Sequence, residues 1–197
     1  MALVLGLGNP GARYARTRHN VAWRVLETLV ARWKAGPVAV PDAPWRAWRA
    51  EVQGRRVDLM APLTFMNLSG EALNGWRERN ELEPDGLLVV ADDVYLPLGH
   101  IRLRARGSSG GHRGLESVQQ ALGSDGFARL RIGVGAAESG AGLKEHVLEE
   151  FDEDEEEAIA PAIGQAADAV ACWIDEGLVA AMNRFNRRVG TEEDSTS

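Results

Sequence analysis

The sequence predicts a single α/β domain, a mixed β-sheet flanked by helices, and three observations carry that reading. Short apolar runs alternate with amphipathic helical stretches along the 197 residues, with no internal repeat and no convincing linker. The length suits one domain that buries most of its apolar surface without staples. A chain 45% hydrophobic and 26% charged can fill a core, which excludes disorder for its bulk.

Taken in order, residues 2–7 (ALVLGL) are a buried run closed by Gly and Pro, a central strand. Apolar residues at 21, 22, 25, 26, 29, 30 and 33 mark one face of a helix over Val21 to Trp33, with Asn20 at the N-cap. Residues 35–44, punctuated by Pro and Gly, read as loop, and 45–53 with 55–61 as a strand pair turned at Gly54. Thr64 to Asn80 reads as a helix with Leu68, Ala72, Leu73 and Trp76 on one face. Residues 87–91 (LLVVA) are a second buried strand, ended by Asp92 and Asp93. Residues 100–105 (HIRLRA) alternate as a half-exposed strand does, and Gly107 to Gly114 form a glycine-rich loop before a helix near 115–122. Another strand follows at 129–134, then closing helices at 154–175 and 177–188. The domain is thus expected over 1–189, with 190–197 a frayed tail.

Composition narrows the function classes. One cysteine, Cys172, excludes an intrachain disulfide and a thiolate zinc site, and fits a reducing, cytoplasmic setting. No apolar run reaches the ~18 residues of a membrane span; the nearest stretch, 158–174, holds Pro161, Gln165 and Asp168. The start, MALVLGLGNPG, lacks the basic n-region of a signal peptide. His19, His100, His112 and His146 are scattered without zinc-ligand spacing, so no metal is expected.

The formal charge of −7 is unevenly spread. Residues 149–157 (EEFDEDEEE) hold eight acids and 192–194 three more, leaving 18 acids against 22 bases elsewhere. Between Asp93 and Glu116 there is no acid, only Arg102, Arg104, Arg106 and Arg113 among the charged residues, so an acidic chain still offers phosphate a basic face. The acidic run 149–157 reads as a solvated surface.

Three patterns compete for a function. Gly6-Leu7-Gly8-Asn9-Pro10-Gly11 is a literal G-x-G-x-x-G, but ten residues separate it from the helix a dinucleotide site needs, and Glu27 falls mid-helix. The alternative is a tight turn under a strand. Gly107-Ser108-Ser109-Gly110-Gly111 is a literal G-x-S-x-G, with Asp125 and His146 downstream. A nucleophile elbow needs a buried strand directly before it, and here an arginine-studded strand precedes. The third pattern is a constellation: Asn9 after the first strand, His19 before the first helix, Asn67 opening the second helix and Asp92 ending a buried strand. Ligands bind outside the carboxyl ends of strands in open α/β sheets, so these four positions can share one crevice.

The strings around those residues, LVLGLGNPGARYARTRHN, PLTFMNLSGEAL, LLVVADDVYLPLG, GSSGGHRGL and RLRIGVG, resemble in order the bacterial-type peptidyl-tRNA hydrolase family, over roughly residues 3–188. The resemblance implies an α/β domain around a twisted mixed sheet, with no metal or cofactor. The implied activity is hydrolysis of the ester joining a peptide to the tRNA 3′ end, recycling tRNA from aborted translation. By matched position it implies His19 as catalytic base, Asp92 as its carboxylate partner, and Asn9 and Asn67 as active-site amides. Tyr14 and Phe65 fall to the substrate, and Arg104 and Arg131 to a tRNA phosphate. The glycine-rich loop departs from the family pattern at Arg113, where asparagine is usual; arginine only donates hydrogen bonds, whereas asparagine donates and accepts. The expected partner is peptidyl-tRNA at its acceptor end, with no membrane, and the chain is expected to be a monomer. A non-catalytic RNA-binding relative and a serine esterase acting through Ser109 are the rival readings.

The chemistry agrees with that assignment. An aminoacyl-type ester is activated enough for a water deprotonated by neutral imidazole to attack it, and a positioned base contributes about 10²–10⁴ in rate. Arginines that bind phosphate do not read base sequence, which suits an enzyme accepting many tRNAs.

Overall fold

The computed structural model describes residues 1–82, 85–136 and 142–186. The first strand, β1 (Ala2–Gly6), leads through two 3₁₀ turns into α1 (Val21–Trp33) and the edge strand β2 (Gly36–Val38). A hairpin of β3 (Trp45–Val52) and β4 (Arg55–Pro62) follows, then a 3₁₀ turn at Met66–Leu68 and α2 (Ser69–Arg77). Next come β5 (Leu87–Asp93), β6 (Ile101–Arg104), α3 (Arg113–Leu122) and β7 (Ala128–Gly133). A short α4 (Leu143–Val147), the long α5 (Glu153–Glu176) and α6 (Leu178–Phe185) close the chain.

One seven-stranded sheet runs β2-β3-β4-β1-β5-β7-β6. Its centre, β4, β1, β5 and β7, is parallel, while β3 pairs antiparallel with β4 and β6 with β7. All residues of β1 and β5 are buried because helices cover both faces, which is why these strands are continuous apolar runs. Val4, Leu88 and Leu130 join α1 and α5 on one face; Leu3, Leu5 and Val89 join α2 and α3 on the other. From β1 the chain turns to α1 on the first face, and beyond β5 and β6 it turns to α3 on the second. The carboxyl ends of β1 and β5 therefore open a crevice.

Several sequence expectations are corrected. Gly36–Val38 is a strand on the sheet edge, paired with β3, within a segment that reads as loop. The helix expected from Thr64 begins at Ser69, and Leu68 is exposed rather than on the packed face. Thr64 and Phe65 lead instead into the 3₁₀ turn that presents the Met66 amide to Asn9. Helix α4 was not anticipated, since five residues carry too little periodicity to read. The expected tail 190–197 lies outside the described residues.

The first two glycines of the G-x-G-x-x-G string serve packing, and the third, Gly11, takes a positive φ of 107°. A Cβ at Gly8 would lie 2.5 Å from the Trp23 ring nitrogen, and one at Gly6 2.7 Å from Leu26. The Trp23 indole N–H donates to Gly6 O at 3.0 Å, so these glycines let α1 close onto β1.

Candidate active site

Asp92 lies at the carboxyl end of β5 and is 3% exposed. Its Oδ1 accepts from His19 Nδ1 at 2.8 Å and from His112 Nε2 at 2.9 Å. The tautomers follow from the partners. A carboxylate oxygen offers only lone pairs, so both ring nitrogens facing it carry protons. His112 Nδ1 is independently an acceptor, taking the amides of Gly114 at 3.1 Å and Leu115 at 3.3 Å and thereby capping α3. His19 Nε2 has no hydrogen-bond partner among the described residues, and its lone pair is unspent there. Burial pushes the Asp92 carboxyl up, but the two imidazoles, through charge and hydrogen bonds together, outweigh it and hold Asp92 well below the usual carboxylate range.

His19 sits in the 3₁₀ turn Arg18–Asn20, and its two neighbours tie that turn down. The Asn20 side chain accepts from Asn9 N and donates to Asn9 O, both at 2.9 Å. Asn20 thus holds the N-cap position of α1 without a side-chain cap, because its amide is spent joining the His19 turn to the end of β1. Arg18, buried, donates to Glu150 O at 2.8 Å and pairs with the Glu155 carboxylate, while its backbone N–H donates to Glu149 O. Arg24 of α1 holds Glu156 bidentately at 3.0 and 2.8 Å. The acidic run is a solvated surface only in part: Glu155 ties the start of α5 to the histidine turn and Glu156 ties it to α1, while Glu149, Glu150, Asp152, Glu153, Asp154 and Glu157 are exposed. Glu155 also closes a capping box with Asp152.

Asn9, largely buried, accepts the Met66 amide on Oδ1 at 2.9 Å, which leaves Nδ2 as the donor end of its amide. Asn67 and Phe65, beside Met66, are exposed. Tyr14 is half-buried, with the Arg13 guanidinium 4.5 Å over its ring and hydrogen-bonded to its hydroxyl.

A cleft of about 240 Å³ opens beside His19 and Asp92, walled by the loop Ser109–Arg113, by Val94 and Tyr95, and by Leu143, Lys144 and Val147. It gathers His19, Asp92, Arg113 and Arg131; Asn9, Tyr14, Phe65, Asn67 and Arg104 are not among its lining residues. Lys144, Tyr95 and Asp93 were not singled out from the sequence. His112 was there counted only as a scattered histidine, although it lies inside the glycine-rich string.

Arg102 stands opposite Arg131, and Arg104 opposite Arg129, so all four share one face of the β6–β7 pair. They divide into two kinds. Arg102 and Arg104 are exposed. Arg129 is 1% exposed and donates to Gly107 O, Ser108 O and Asp125 O; burial, with Arg131 nearby, pulls its pKa below the usual arginine value. Arg131 donates to Asp93 Oδ2 at 2.9 Å and to the carbonyls of Ser108 and Ser109 at 2.8 and 3.1 Å. Both therefore staple the glycine-rich loop, and Arg131 is not the free cation that the sequence suggests.

Ser109 has no histidine partner among the described residues: its hydroxyl donates to Glu116, and His146 is turned to the carbonyl of Gly135. The esterase arrangement is absent. His19, Asp92 and His112 do have the composition of a metal site, with ligand atoms within 4.8 Å of one another. In this geometry both rings aim an N–H at the carboxylate, an arrangement that holds protons.

The family model for peptidyl-tRNA hydrolase matches residues 3–194. The chain is 39% identical over 193 residues to the peptidyl-tRNA hydrolase of Rhodopirellula baltica, covering 97% of this chain and 100% of that one. To the Chloroflexus aggregans enzyme of the same name it is 42% identical over 194 residues, covering 94% and 99%. Among solved structures, peptidyl-tRNA hydrolase from Acinetobacter baumannii superposes with a TM-score of 0.87 at 32% identity, covering 94% of each chain.

Proposed function

The chain belongs to the peptidyl-tRNA hydrolase family, and its reaction is hydrolysis of the ester joining a peptide to the 3′ end of tRNA; within that reaction we propose that His19 is the general base. The observation that carries this reading is the unspent Nε2 lone pair of His19, with Nδ1–H held at 2.8 Å by a buried, ionised Asp92. Nε2 takes a proton from water as the water attacks the ester carbonyl. Asp92 fixes the tautomer and stabilises the imidazolium that forms. The Nδ2 donor of Asn9 and the amide of the exposed Asn67 place the water and donate to the developing oxyanion; such a donor contributes about 3 kcal/mol in other acyl-transfer sites. Proton transfer to the departing ribose oxygen returns His19 to its resting state.

Tyr14 and Phe65 flank the terminal nucleotide, and the exposed Arg104, beside Arg102, takes a tRNA phosphate. Arg131 contributes to that phosphate only with the edge its loop contacts leave free. The chain acts as a cytoplasmic monomer with no metal; its single cysteine fits that setting. No helix among the described residues is long and apolar enough to cross a membrane.

A binding-only relative has no use for a base and its orienter, which favours the hydrolase. The test is release of N-acetylamino acid from N-acetylaminoacyl-tRNA by the purified protein in EDTA. Turnover is expected, and a protein that binds this substrate without cleaving it overturns the reading.

A further inference from the structure

The charges lining the cleft do not cancel. Its two carboxylates are spent inside the fold: Asp92 Oδ1 on two imidazoles, and Asp93 on Arg131 through Oδ2 and on the Tyr95 amide through Oδ1. Arg131 is compensated by Asp93. Arg113 and Lys144 line the same cleft, both are exposed, and neither has an ion-pair partner among the described residues. The nearest acid along α3, Glu116, accepts from the Ser109 hydroxyl. Val94, Leu143 and Val147 add apolar walls to the same cleft. Arg113 directly follows His112, which touches Asp92, and it lines the same cleft as His19.

We propose that Arg113 and Lys144 select substrates whose peptide carries an acidic side chain at or next to the esterified residue. This rests on the hydrolase reading and deepens it. Apolar walls suit the stem of a glutamyl or aspartyl side chain better than a phosphodiester backbone, and two cations without an ion-pair partner among the described residues suit its carboxylate. A carboxylate there gains a partner without displacing one among the described residues.

The test loads N-acetylglutamate and N-acetylglutamine, isosteres differing in charge, onto the same tRNA and compares kcat/KM. Wild type is expected to favour the glutamyl ester about fivefold, the scale of one favourable exposed ion pair. The preference should fall towards unity in Arg113→Asn, shrink in Lys144→Gln, and invert in Arg113→Glu. Both side chains are exposed, so the fold tolerates these changes. Equal rates in wild type overturn the proposal, as does a preference that survives both neutralising variants. Equal losses on both esters with a flatter salt dependence assign the cations to tRNA phosphate, and also overturn it. Failure of wild type to cleave even the glutaminyl ester would instead contradict the hydrolase reading.

Discussion

His19 and His112 hold the same oxygen of Asp92, with their ring centroids 5.0 Å apart and only His19 free to act on substrate. His112 is locked on its far side by two amides of α3, so it cannot rotate away to release the carboxylate. The base is thereby positioned by a chain of contacts running from α3 through His112 and Asp92.

That chain predicts a separable effect of His112. His112→Ala removes both the helix cap and one donor to Asp92, and should lower stability and kcat together. His112→Asn restores a capping oxygen but is too short to reach Asp92, so thermal stability should recover while kcat stays about 10- to 100-fold down, the worth of a hydrogen bond to a charged group. Recovery of both in His112→Asn would make His112 merely a cap.

Asp92 links the site to pH. Its folded-state pKa is held below the unfolded value of about 3.9, so its contribution to stability is complete above that value and is lost as pH falls through the folded one. Urea midpoints of wild type and Asp92→Asn should therefore converge as pH is lowered from about 5 towards 2. At neutral pH Asp92→Asn should be severely inactive, because an amide can hold the imidazole in the wrong tautomer. A gap in midpoint that widens on acidification would contradict this.

The clamp between Arg18 and Glu155 should matter to both folding and rate. Glu155→Gln leaves a buried guanidinium with the Glu150 carbonyl, a long contact to His146 O, the more distant Glu149 carboxylate and a weakened partner, at a cost of about 1–3 kcal/mol in unfolding free energy. Because Arg18 precedes His19, kcat should also fall, by less than for Asp92→Asn. Unchanged stability would return the acidic run to the role of a solvated surface.

The arginines should divide their labour. Arg104→Ala should raise KM with little change in kcat, and reduce the slope of log affinity against log salt by about one unit. Arg131→Ala frees the carbonyls of Ser108 and Ser109 and unpairs Asp93, so kcat should fall as well as KM rise. Identical profiles for the two variants would mean that loop stapling is not what Arg131 does.

The central strands and α1 were legible because their signals are local: unbroken apolar runs in β1 and β5, and a 3.6-residue period in α1 that coincides with its observed limits. His19 and Asp92 could be placed in one crevice from their positions at element ends, but their roles as base and partner came only through the resemblance, since 73 residues separate them. What the sequence hid is pairing across distance. Nothing local marks Glu155 as the partner of Arg18, or tells a compensated Arg131 from an exposed Arg104 two residues from its cross-strand neighbour Arg102. Asn20 likewise looks like a cap because a cap is a local device; its bonds to Asn9 depend on β1 and α1 being brought together.

The most direct test of the account is single-turnover hydrolysis of N-acetylaminoacyl-tRNA by His19→Ala, with tRNA affinity measured on the same preparation. The account predicts a rate about 10²- to 10⁴-fold lower, with the dissociation constant for tRNA nearly unchanged. A variant keeping more than about a tenth of the wild-type rate would remove His19 as the base, because so small a loss lies below what general-base catalysis contributes.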